Sequence, residues 1–108
     1  MNEGKYLTKV VAPLREVYMV FEFRQKDGEW QGFIEPAPEG QGLERVLFAR
    51  TRLSELRTDG DKLTCQFQME VPFPGLVEVV GTVTEKTFIG QATLVEMGLK
   101  IPIAGEKM

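Results

Sequence analysis

Any chemistry in this chain would come from a short roster of side chains. There is no histidine, one cysteine (Cys65) and one serine (Ser54), so neither a Ser-His nor a Cys-His pair can be assembled for nucleophilic catalysis. The same deficit removes most zinc and copper sites, which rest on imidazoles or on several thiolates. Cys65 alternates with Leu63 and Phe67 and reads as a small buried hydrophobe, not a reactive thiol. Asp59-Gly60-Asp61 sets two carboxylates around a glycine, but a calcium loop needs roughly six to eight oxygens from a spaced acidic series that does not follow here. A β-turn is the better reading. Gly40-Gln41-Gly42 lacks the strand before it and the helix after it that a phosphate-cradling loop requires, and reads as a flexible connection.

Glu22, Glu35, Glu70 and Glu78 each alternate with apolar residues, which places them on solvated strand faces and not in a carboxylate pair for glycoside cleavage. Arg45, Arg50, Arg52 and Arg57 are the densest cationic group. They could hold an anionic ligand or a partner's acidic patch, although ordinary surface arginines are the simpler reading. Trp30, Phe21, Phe23, Phe67 and Phe88 could line a pocket for an apolar small molecule, but in a barrel of short strands such side chains also suffice to fill the interior. A packed core is the preferred reading. No enzyme, metal or cofactor is expected.

The elements that must carry these residues are strands. In Leu63-Thr64-Cys65-Gln66-Phe67-Gln68-Met69 apolar and polar residues alternate strictly, with the period of a half-buried strand. Glu16 to Arg24 is rich in β-branched and aromatic residues, and Asp27-Gly28 turns it into a partner strand, Trp30 to Glu35. Pro36 to Gly42 breaks the pattern as an exposed loop. Arg45 to Arg57 is read as a short strand followed by an irregular turn. Pro74-Gly75 then leads into Leu76 to Thr84, Glu85-Lys86 reverses the chain, and Thr87 to Val95 and Leu99 to Ile103 form a closing hairpin with Pro102 on an edge or at a bulge. Ahead of these, Leu7, Val10, Val11 and Leu14 fall at helical spacing, interrupted by Pro13. A short helical plug and an additional edge strand remain equal alternatives.

Seven extended segments joined by short turns, with no helix between them, exclude a parallel βαβ arrangement. The expectation is an all-β, up-and-down antiparallel meander of about seven to eight strands, closing into a small barrel or a tight sandwich. Gly32, Gly81 and Gly90 within strands favour the sharp coiling that closure needs. A chain of 108 residues makes one such domain, with residues 1–15 packing on a meander of 16–105. The formal charge of −3 with mixed signs gives no field for nucleic acid, and no apolar run approaches the roughly 18 residues of a membrane span. Met1 to Leu7 carries no visible signal peptide, although a segment cut from a longer exported chain would look the same. The first hairpin is apolar on both faces, so Tyr18, Val20 and Phe33 on its outer side must meet the amino terminus, a second subunit or a neighbouring domain.

Gly28-Glu29-Trp30-Gln31-Gly32, a long loop, Leu53, Asp59-Gly60-Asp61-Lys62-Leu63-Thr64 with Phe67, then Gly81-Thr82-Val83 and Gly90-Gln91-Ala92 form a recurring arrangement. It resembles the small lipocalin-like β-barrel modules found beside hydrolases and other domains in bacterial, often exported, proteins. The resemblance covers residues 16–105 and implies a barrel fold, an accessory or binding role and an exported or periplasmic setting, with no catalytic residues to transfer. The expected function is a non-catalytic module acting through protein association, through self, a neighbouring domain or a partner. The alternative is a carrier of a small hydrophobic ligand inside the barrel.

Overall fold

The computed structural model describes residues 1–12, 15–38, 50–69 and 75–108. Nine strands follow one another: β1 Gly4–Ala12, β2 Arg15–Lys26, β3 Glu29–Pro36, β4 Thr51–Arg52, β5 Ser54–Asp59, β6 Lys62–Met69, β7 Gly75–Val83, β8 Thr87–Leu94 and β9 Leu99–Lys107. There is no helix among the described residues. Every ladder is antiparallel, and the order β4-β3-β2-β1-β9-β8-β7-β6-β5 joins sequence neighbours throughout, except where β1 pairs with β9. The expected meander is therefore present, as a single barrel-shaped sheet that is nearly closed.

The amino-terminal segment is a strand and not a helical plug, and it lies centrally, between β2 and β9, and not at an edge. Tyr6, Thr8 and Val10 face the interior and are buried, while Leu7 and Val11 face outwards. The helical spacing in the sequence arises because both faces of this strand carry apolar residues. Two further strands appear where an irregular turn was expected. Leu53 is buried, and its N–H donates to the Gly32 carbonyl at 2.8 Å, while the chain beyond it pairs with β6. Thr51 to Asp59 thus changes partner midway, β4 serving β3 and β5 serving β6, which draws the two ends of the sheet together. The expected features at Leu14, Gly40-Gln41-Gly42, Arg45 to Ala49, Glu70 and Pro72 to Pro74 lie outside the described residues.

The turns follow from local chemistry. Asp27 and Gly28 both have positive φ (53° and 80°), the two-residue hairpin geometry that Asp-Gly favours. Gly60 (φ 62°) opens the β5–β6 turn, and the Asp61 carboxylate lies 3.4 Å from the Met1 ammonium. Thr84 Oγ1 accepts from the N–H groups of Lys86 and Thr87, closing the β7–β8 reversal. These three turns share one end of the barrel with the Met1 side chain, which is fully buried there. The strand ends Ala12, Pro36, Met69 and Leu94 lie at the other end. Pro102 is exposed on β9 opposite Gln91, and the β1–β9 ladder stops one residue before it, at Val10 opposite Ile103. A residue without an N–H costs least where the ladder ends.

Alternating inward residues from all the long strands form one core, including Tyr6, Phe21, Phe23, Leu63, Val79, Val83, Phe88 and Ile103. Trp30 and Leu56 are partly buried against it, from β3 and β5.

Candidate functional site

Of the five aromatic residues expected to line a pocket, three meet in the interior, and they meet each other. Phe21 and Phe88 stand edge to face with centroids 5.0 Å apart, Phe23 and Phe88 at 5.6 Å, and Tyr6 completes the group at 6.0 Å from Phe23. Such edge-on contacts contribute beyond area burial, about 0.5–1.5 kcal/mol per pair. Tyr6, which the sequence reading did not include, donates its hydroxyl to the Thr84 carbonyl at 2.8 Å, and burial raises its pKa. Its place was signalled by alternation with Thr8 and Val10. Phe67 is buried on β6 within the same core, and Trp30 is only partly buried against it. The half of the barrel nearest the Met1 end is thus filled by its own rings. Cys65 is buried within the same core, and desolvation pushes its thiol up to about 12, so very little thiolate is present at neutral pH.

The three residues expected to form an association surface share the outer face of β2 and β3 but are not equally open. Tyr18 is 40% exposed, Val20 is 1% exposed, and Phe33 is half-buried beneath two guanidinium groups. The open apolar surface lies instead one strand further round. A single row of ladder partners crosses four strands, from Tyr18 on β2 through Lys9 on β1 and Ala104 on β9 to Ile89 on β8. Leu7, in the next row, and Met108 border it, and together they line a shallow groove of about 460 Å3. Ile89 is 54% exposed, Lys9 lies within the row, paired with Glu16 at 3.0 Å, and Lys107 and Glu106 stand at the margin. Ile89 and Leu7 share this surface only through the β1–β9 pairing, which is not local in sequence.

Around Phe33 the structure assembles charge. Arg24 and Arg50 each place the guanidinium carbon 4.5 Å from the ring centroid. Arg50 also donates to Glu22 Oε1 at 2.8 Å and to Glu35 Oε2 at 3.1 Å, and Lys5 reaches Glu35 at 3.6 Å. The hydrogen bond from Arg50 holds the Glu22 carboxyl below its ordinary range, and Glu22 in turn raises the Arg50 pKa. Arg52 lies directly opposite Phe33 on β4 and is exposed. Arg57 sits apart on β5, 3.8 Å from Glu55, and Arg45 lies outside the described residues. Glu22 and Glu35 are therefore bound by a shared arginine, while Glu78 is exposed on β7. No reacting carboxylate pair is formed by these three.

At the barrel end away from Met1, the residues Met69, Leu76, Leu94, Val95 and Met97 line a crevice of about 150 Å3. Val95 and Met97 are exposed there. No family model, curated protein or solved structure matches this chain.

Proposed function

We propose that the chain is a non-catalytic β-barrel module that works by association, pairing through its outer face with a second copy of itself. The observation that carries this is the groove across β2, β1, β9 and β8, where Tyr18, Leu7 and Ile89 are exposed on one outer surface, with Lys9 and Ala104 between Tyr18 and Ile89. Contiguous apolar patches on a soluble domain mark sites that a partner covers. A two-fold pairing brings a patch against itself, so its margin must hold both signs of charge. Lys107 and Glu106 meet that condition. The lipocalin-like resemblance belongs to this reading as its frame, since an accessory role needs surface and not chemistry.

The test is the mass in solution. By light scattering at micromolar to ~100 µM concentration, the chain is expected as a dimer, and the L7E/I89K variant as a monomer with an unchanged circular dichroism spectrum. A wild-type chain that stays monomeric across that range overturns the reading.

A second reading, the carriage of a small apolar ligand, is favoured by the difference between the two barrel ends. One is stoppered by the buried Met1 side chain and the Tyr6 hydroxyl, whereas the other presents the crevice at Met69, Leu94 and Met97. Ligand entry in this reading is from that end.

A further inference from the structure

We infer that the outer face of β2, β3 and β4 is a docking site for an acidic segment of a partner protein, its carboxylates held by Arg24 and Arg52 around the Phe33 ring. This goes beyond self-association and uses a different face. Among the described residues, four cations, Lys5, Arg24, Arg50 and Arg52, gather around Phe33 with the two carboxylates Glu22 and Glu35, in a chain whose formal charge is −3.

The arginines around Phe33 are not equivalent. Arg50 directs both terminal nitrogens to glutamates of this chain and is occupied. Arg24 lies over the ring, 4.5 Å from its centroid, and among the described residues no carboxylate holds it. A guanidinium stacked on an aromatic uses its face and leaves its in-plane N–H donors available, the geometry that grips a carboxylate with two parallel bonds. The ring also restricts the side chain before binding, which reduces the ordering cost that a free arginine would bear. Arg52, opposite Phe33 across the β3–β4 ladder, supplies a second exposed cation on the same outer face. Phe33, half-buried beneath Arg24 and Arg50, holds the Arg24 side chain in place from below.

A carboxylate partner fits better than a polyphosphate one. The net negative charge repels a long polyanion, whereas a short acidic segment places a few charges only where the cations are concentrated. Planar carboxylates also match the bidentate donors of an arginine.

The probe is a fluorescein-labelled peptide of alternating Glu and Ala, followed by anisotropy in the L7E/I89K background so that self-association does not contribute. Binding is expected, weakened as salt rises, and weakened about tenfold or more in R24A/R52A. Phe33→Leu should weaken it several-fold while Trp30 fluorescence reports an unchanged fold, and K62A/K100A should leave it unaltered. Equal binding by R24A/R52A, or no binding by the parent, overturns the proposal. So does displacement by inorganic phosphate or oligouridylate at concentrations where unlabelled peptide is no better. A monomeric parent chain with intact peptide binding would remove the dimer and keep this site, so the two failures are distinguishable.

Discussion

Gly90 lies directly opposite Gly81 in the β7–β8 ladder, and the two backbones approach so closely that a side chain on either would collide with its surroundings. A Cβ on Gly90 would press on the Val80 carbonyl oxygen and the Gly81 Cα, and one on Gly81 would enter the Phe88 ring. The glycine pair is the point where the sheet coils tightly enough for Phe88 to fill the interior. Gly90→Ala has backbone on its far side and nothing flexible to displace. It should cost about 1–3 kcal/mol in chemical denaturation, the usual cost of overpacking. An alanine variant as stable as the parent would show that the pair does not set the curvature.

Stability should fall in acid through Glu22. Its pKa is lowered in the folded state, first by the hydrogen bond from Arg50. The stabilisation is therefore complete above the ordinary glutamate value, near 4.3, and is lost as pH drops through the lower folded value. Glu22 is 19% and Arg50 42% exposed at the side chain, so solvent screening limits the pair to about 0.5–1 kcal/mol. Denaturation of E22Q and the parent as a function of pH should show that gap at pH 7 and convergence once the pH has fallen through the lowered Glu22 value. A gap that is constant with pH would assign the effect to packing and not to charge.

Cys65 should be silent until the barrel opens. Its thiol is pushed from 9.0 to about 12 by burial, so a disulfide reagent at pH 8 should label it only in denaturant. The raised pKa also has a thermodynamic sign: stability is full below the unfolded thiol value and declines as pH rises from about 9 towards 12, because only the unfolded chain ionises readily. Rapid labelling of the native protein would contradict the placement of this side chain in the core.

Much of the fold is legible in residue alternation. The β6 pattern around Cys65 and the Asp27-Gly28 hairpin need no tertiary information, since strand period and turn chemistry are local. The β5 region was misread for a specific reason. Leu53 and Leu56 stand three apart, which resembles a helix or turn, but the register shifts between Ser54 and Arg57, and Glu55 adopts a positive φ of 51°. One extra residue in a bulge converts a spacing of two into three. β1 was obscured differently, because its outer residues Leu7 and Val11 are apolar as well.

The candidate sites were less legible than the fold. Arg50, Arg52 and Phe33 were each noted, but Arg24 joins them only through the β2–β3 register, which sets Glu22 against Phe33 and Arg24 two residues further along. The outer groove depends on the pairing of the first and last strands. Local sequence carries neither relationship.

That closing pair also shapes how the molecule comes into being. Each of the other ladders links strands consecutive in sequence, but the β1–β9 ladder joins Tyr6 to Lys107 and Val10 to Ile103. Loop-closure entropy delays such a contact until much of the intervening chain is in place. Until then β1 and β9 are unmated edges that any other strand could copy, including the same strands of another molecule. The last step of folding is thus a choice between ring and chain, and dilution favours the ring.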